Sequence, residues 1–134
     1  MSPAEPSQPL RVLLVEDHPD LAEVTAEFLQ AEGLDVQTAM SGREALEVAT
    51  AFGPDIVLCD LNLPDMSGLD VIRGLRSNPS TKEAYAVILT AMRERELSSR
   101  SDVDELCVDA FISKPITIEA IRTLADKLAP RPVQ

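Results

Sequence analysis

Five side chains of this 134-residue chain could act on a phosphoryl group if one fold gathered them. Glu16 and Asp17 stand together after one apolar run, Asp60 closes a second, Thr90 follows a third and Lys114 a fourth. Carboxylates brought to one rim repel each other, and a hard divalent cation relieves that repulsion. Mg²⁺ takes one or two carboxylates with waters and phosphate oxygens, which suits this set, and Mn²⁺ is the alternative ion. A hydroxyl and an ammonium are poor ligands for such an ion. They are good partners for phosphate oxygens, one as a donor and one as a point charge. The set therefore reads as a phosphoryl-transfer site with Asp60 as the nucleophile that would form an acyl phosphate. Taken singly, each residue has a plainer reading. Asp60 could equally be a metal ligand or the start of a turn, the acidic pair a solvated loop, Thr90 a strand end, and Lys114-Pro115 ordinary loop chemistry.

The elements that must position these residues are legible from apolar periodicity. Residues 10–15 (Leu-Arg-Val-Leu-Leu-Val) form the first expected strand, ending at Glu16-Asp17. His18 is a surface helix-cap position and Pro19 suits the first helical residue. Leu21, Val24, Phe28 and Leu29 mark the helix face, which Gly33 ends. Residues 34–39 are the second strand. Ser41-Gly-Arg-Glu44 has capping-box spacing before a helix carrying Leu46, Val48, Ala49 and Phe52 and closing at Gly53-Pro54. Ile56-Val57-Leu58-Cys59 has no polar alternation, as in a strand buried on both faces of a parallel sheet. Cys59 there is a packing residue. Leu69, Ile72 and Leu75 mark a third helix, residues 85–89 a fourth strand, and the charged stretch 93–106 a fourth, weakly anchored helix. Ala110-Phe111-Ile112 is a short fifth strand. Thr117 caps a last helix with Ile118, Ile121, Leu124, Ala125 and Leu128 on its buried face.

Five strand–helix alternations imply an α/β fold, a parallel sheet with helices on both faces. The catalytic candidates stand at the carboxyl ends of its strands, where open sheets of this kind bind ligands.

Composition limits the function further. Hydrophobic residues make up 45% of the chain, enough for one globular domain over 10–129. Residues 1–9 are Pro- and Ser-rich, a flexible arm or linker, and 130–134 a C-terminal tail. A net charge of −11 with no basic stripe argues against nucleic acid. Aromatics at 3% leave few stacking platforms for bases or flavin rings. Two cysteines without a framework, no bilayer-length apolar run and no signal peptide point to a reducing, cytoplasmic setting.

The chain resembles the receiver domains of two-component response regulators over about residues 11–129. The resemblance rests on Glu16-Asp17, Asp60-Leu-Asn-Leu-Pro-Asp-Met-Ser-Gly68, Thr90-Ala91 and Lys114-Pro115, in the family's order and spacing. It implies a flavodoxin-like doubly wound sheet of strand order 2-1-3-4-5 with five helices. It implies that Asp60 accepts a phosphoryl group from a sensor histidine kinase or histidine phosphotransfer domain. Asp17, Asp60 and the backbone carbonyl of Asn62 would hold Mg²⁺, with Glu16 acting through water. Thr90 would donate to a phosphoryl oxygen and Lys114 would pair with it. Phe111 matches the family's aromatic switch, so that movement of Thr90 would let Phe111 turn inward. The face built by the fourth helix, fifth strand and fifth helix would then change for a downstream protein partner, and a phosphorylation-dependent homodimer is left open. Such a chain is a signalling switch that catalyses only its own phosphorylation and dephosphorylation.

Asn62 and Met92 match positions that tune phosphate lifetime in the family. Cys107-Val108 departs from the Gly-Ala common before the fifth strand, which alters the expected geometry of that connection. A haloacid-dehalogenase-like phosphatase also uses Asp, Mg²⁺, Thr and Lys, but its second Asp, two residues on, is here Asn62. A flavin carrier would need a phosphate loop where this chain has Glu16-Asp17-His18-Pro19. A receiver-like interaction module without phosphorylation is the remaining alternative.

Overall fold

The computed structural model describes residues 9–91, 108–114 and 116–128. The helix expected over 93–106, Met92, Cys107, Pro115, the arm over 1–8, the tail, and the side chains of Ala125 and Leu128 lie outside the described residues.

Strands β1 (Arg11–Val15), β2 (Asp35–Ala39), β3 (Ile56–Asp60), β4 (Tyr85–Thr90) and β5 (Ala110–Ser113) form one sheet in the order β2-β1-β3-β4-β5. Every pairing is parallel. Around it lie α1 (Pro19–Ala31), α2 (Gly42–Phe52), α3 (Gly68–Arg76) and a C-terminal helix (Ile118–Leu128). All five residues of β3 are buried, as are the last four of β1 and the last five of β4. Their unbroken apolar runs follow from this double coverage. The edge strand β2 keeps polar Asp35, Gln37 and Thr38 at its exposed positions.

Alternate residues feed two cores. Leu13, Val15, Val57 and Cys59 pack against Ala45 and Ala49 of α2 and Val71 and Leu75 of α3. Val12, Leu14, Ile56, Leu58, Val87 and Leu89 pack against Leu29 of α1 and Ile121 and Leu124 of the C-terminal helix. Each fully buried Leu or Ile contributes about 1.5–3 kcal/mol from apolar burial. Cys59 is a wholly buried packing residue, and burial pushes its thiol far above the ordinary range.

Helix ends follow local chemistry. α1 closes in a Schellman motif: the Gly33 N–H donates to the Gln30 carbonyl and the Leu34 N–H to the Leu29 carbonyl. Gly33 sits at φ 87°, which a side chain would resist. Thr117 caps the C-terminal helix, its Oγ1 accepting from the Ala120 N–H at 3.1 Å. Three details differ from the sequence expectation. The buried stripe of α1 is Ala22, Thr25 and Leu29, while Leu21, Val24 and Phe28 are 44%, 56% and 41% exposed. The smaller side chains face the sheet because they let the helix approach it closely. Ser41 accepts from the Glu44 N–H, but the Glu44 carboxylate reaches the Met40 N–H at 2.8 Å, one residue short of a true box. The reciprocal capping box belongs instead to Ser67 and Asp70 at α3. Ile118 is 38% exposed, at the rim of the helix face on which Ile121 and Leu124 are buried.

Candidate functional site

The parallel register alone brings the predicted residues to one rim. Val15 pairs with Cys59, so Glu16 comes level with Asp60. Asp60 pairs with Leu89 and Thr90 with Ser113, so Thr90 and Lys114 each begin one residue further along the rim. The Lys114 N–H donates to the Thr90 carbonyl at 2.9 Å, which ties these two strand ends together.

The loop after Asp60 is held from both ends. The Gly68 N–H donates to the Leu61 carbonyl at 2.6 Å, and Asn62 bridges to Ser67. A Cβ on Gly68 would run into the carbonyl oxygen of Asp60, so the absence of a side chain lets α3 begin directly against the strand end. On the far side, the Asp65 carboxylate accepts from the N–H groups of Gly42 at 2.8 Å and Arg43 at 3.0 Å. Asp65 thus closes the N-terminus of α2, where free donors and the helix dipole favour an anion. Those bonds, first from Gly42, hold its carboxyl below the ordinary range. Asp65 stands within the Asp60–Gly68 motif, but nothing local showed its role, because its partners lie more than 20 residues away.

Asp60 and Glu16 are buried and share one cation. Lys114 Nζ lies 2.5 Å from Asp60 Oδ1 and 3.2 Å from Glu16 Oε1. The other Glu16 oxygen, Oε2, lies 2.9 Å from His18 Nδ1 and accepts from the His18 N–H at 3.2 Å. Asp17 Oδ1 is 3.3 Å from the same imidazole nitrogen. Burial, with the Glu16 charge beside it, pushes the Asp60 carboxyl up to about 6 against the opposing pull of Lys114. Glu16 resolves the other way: burial disfavours its charge, but bonds with His18, Asp60 and Lys114 outweigh that and hold it low. Lys114 is raised, its two carboxylates outweighing the cost of burial.

Asp17, His18, Asp60, Asn62, Thr90 and Lys114 line one cleft of about 240 Å³. Thr90 is buried at its wall and Asn62 is exposed at its mouth. Asp60 Oδ1 is fully buried and is held by the Lys114 ammonium at 2.5 Å. Asp17 and Asp60 on one cleft, with the buried Glu16 carboxylate beside them, are an oxygen donor set that fits a hard divalent cation. Phe111 is half-buried on β5 and packs against the cluster of Leu61, Leu69, Ile72, Ala86 and Ile88, away from the cleft lining. The sequence reading of His18 as an exposed cap holds for its backbone position. Its ring nevertheless engages both acidic residues, which the reading missed although Glu16-Asp17-His18 is contiguous.

The family model for the response regulator receiver domain matches residues 12–126. The chain belongs to that family. It is 37% identical over 115 residues to the probable transcriptional regulatory protein TcrX of Mycobacterium tuberculosis, covering 85% of this chain and 47% of TcrX. It is 30% identical over 122 residues to the probable chemotaxis protein CheY of Rhizobium etli, covering 87% of this chain and 89% of that protein. Among solved structures, the CheY-like receiver domain from Methylobacillus flagellatus superposes with a TM-score of 0.80 at 32% identity, over 89% of this chain and 98% of that one. The chain spans under half the length of TcrX. A receiver domain is the signalling switch of a two-component phosphorelay, paired with histidine kinases or phosphotransfer proteins. Among the described residues, no helix is long and apolar enough to cross a membrane.

Proposed function

We propose that Asp60 is the phosphoryl acceptor of this receiver, in a single domain over 10–129. Its supporting observation is a buried carboxylate at the end of the central strand, held by Lys114 and lining a cleft shared with Asp17, Thr90 and Lys114. An Asp60 oxygen attacks the phosphorus of a phosphohistidine on a sensor kinase or histidine phosphotransfer domain. The O–P bond forms as the P–N bond breaks, and the electron pair stays with the donor imidazole, which takes up a proton. Lys114, which holds the Asp60 charge at rest, transfers its contact to a phosphoryl oxygen, and Thr90 donates to another. Asp17, Asp60 and the Asn62 carbonyl would hold Mg²⁺ (or Mn²⁺), with Glu16 engaged through water. When bound, that ion offsets the negative charge of the transferring group. Water later hydrolyses the acyl phosphate, so the chain turns over only itself.

The output in this reading is a population shift. Thr90 drawn toward the phosphoryl group opens space into which Phe111 turns, altering the surface around β5 and the C-terminal helix for a protein partner or a second copy. The histidine donor docks on the apolar face of α1. Leu21, Val24 and Phe28 stand exposed there beside a groove of about 400 Å³ that runs to Glu16 and Lys114 of the phosphorylation cleft. The setting is the cytoplasm, with no nucleic-acid or membrane contact by this domain itself.

Intact-mass spectrometry after incubation with acetyl phosphate and Mg²⁺ tests the reading. A single phosphoryl adduct is expected, absent from Asp60→Asn and from a chelator control. An unmodified wild-type protein that also ignores beryllium fluoride with Mg²⁺ would leave a receiver-like interaction module in its place.

A further inference from the structure

The loop between Asp60 and α3 is a short antiparallel hairpin with Pro64 and Asp65 at its tip. The Gly68 N–H donates to the Leu61 carbonyl at 2.6 Å and the Leu63 N–H to the Met66 carbonyl at 3.2 Å, on either side of the Asn62–Ser67 bridge. Asn62 and Ser67 are therefore a non-hydrogen-bonded pair, whose own N–H and C=O groups point away from each other. The Asn62 carbonyl is not consumed by the hairpin, and Asn62 lines the cleft with Asp17 and Asp60. On the reading that this carbonyl is an ion ligand, we infer that Asp65 is a positioning residue for the ion site. It ties the hairpin to α2 and so couples ion binding to the first turn of that helix.

The tie is bidentate. Asp65 Oδ1 accepts from the Gly42 N–H at 2.8 Å and Oδ2 from the Arg43 N–H at 3.0 Å. Leu63 and Met66, on either side of the tip, pack against the core beneath α2 and α3. The Met66 side chain fills the space that a Cβ on Gly42 would need. Gly68 thus fixes the base of the hairpin and Asp65 its tip, with Asn62 between the two anchors. A ligand held in place before the ion arrives loses less freedom on binding, and loss of such a supporting contact typically costs about 10–100-fold in metal affinity. The coupling is reciprocal, so an ion on the Asn62 carbonyl also strengthens the hold of Asp65 on α2. A plain helix cap would do neither. Ser41 provides the comparison: its Oγ caps the same helix, accepting from the Glu44 N–H at 3.1 Å, without a bond to the hairpin.

Mg²⁺ titration by calorimetry and hydrogen exchange at the Gly42 and Arg43 amides compare wild type, Asp65→Ala and Ser41→Ala, all well below their melting temperatures. Mg²⁺ affinity should fall about tenfold in Asp65→Ala and less than about twofold in Ser41→Ala, which also weakens the start of α2. Asp65→Asn, which keeps one acceptor oxygen, should fall between wild type and Asp65→Ala. Mg²⁺ should slow exchange at Gly42 and Arg43 in wild type and in Ser41→Ala, and leave it unchanged in Asp65→Ala. Equal losses of affinity in Asp65→Ala and Ser41→Ala, or an unaltered affinity in Asp65→Ala, overturn the role of Asp65 alone. A wild type that binds no Mg²⁺ overturns the ion reading with it.

Discussion

The two sides of the sheet are built to different standards. On the α2–α3 side, contacts are close and directional: Gly68 lies against the Asp60 carbonyl, Asp65 closes α2, and Ser67 and Asp70 form a capping box. On the other side, α1 meets the sheet through Ala22, Thr25 and Leu29 and leaves Leu21, Val24 and Phe28 exposed. A bidentate pair between Arg122 and Glu32 links α1 to the C-terminal helix at the end away from Asp60. The difference separates two tasks. One side fixes the Asp60 carboxylate, and the other leaves exposed the surface on which we propose that the histidine donor docks.

Gly68→Ala should break the first side most severely. The obstacle to its Cβ is the backbone carbonyl of Asp60, so about 3 kcal/mol of stability should be lost together with acetyl phosphate labelling. Gly42→Ala is the matched control, since it meets only the pliable Met66 side chain and should cost about 1 kcal/mol or less. Urea unfolding of the two variants measures the contrast. Equal losses would mean that the β3–α3 junction yields as easily as a methionine.

Two carboxylates five residues apart should then respond to pH with opposite sign. Asp60 is raised to about 6, so the metal-free protein loses stability as pH climbs from the ordinary carboxylate value of 3.8 to about 6. Asp60→Asn removes that buried charge and should raise metal-free stability at pH 7 by about 1–2 kcal/mol. Asp65 is lowered, so its contribution is complete above 3.8 and disappears as pH falls through its folded value. Asp65→Asn should therefore lower the melting temperature at pH 7 and flatten its decline in acid. Thermal melts in chelator between pH 3 and pH 8 test both signs.

The smallest effect on stability, and the most selective on function, belongs to the open side. Phe28→Ser should cost about 1 kcal/mol or less, because the residue is 41% exposed and lies outside the packed core. Labelling by acetyl phosphate should be unaltered while transfer from a phosphohistidine donor slows about tenfold or more. Equal loss with both donors would sink the docking role of α1.

Much of this architecture is legible in the chain itself. Apolar runs that end in Glu16, Asp60, Thr90 and Ser113-Lys114 report strands whose ends share a rim, because parallel register aligns them. Periodicity located α1 and its buried Leu29 but misassigned Leu21, Val24 and Phe28. Leu21, Val24 and Phe28 and the smaller Ala22 and Thr25 both recur at helical spacing with Leu29, and only docking against β1 and β2 chooses between them. Asp65 was illegible for a different reason: its bonds to Gly42 and Arg43 exist only after two loops meet. The Ser67–Asp70 box, by contrast, is a local signal that stood in plain view.

The most direct test of the central claim is borohydride trapping after acetyl phosphate and Mg²⁺, followed by peptide mass spectrometry. Reduction converts an aspartyl phosphate to homoserine at the modified position. Homoserine at position 60 alone is the predicted result. Reduction products at Glu16 or Asp17, or none at any carboxylate of a protein that still melts cooperatively, would contradict Asp60 as the acceptor.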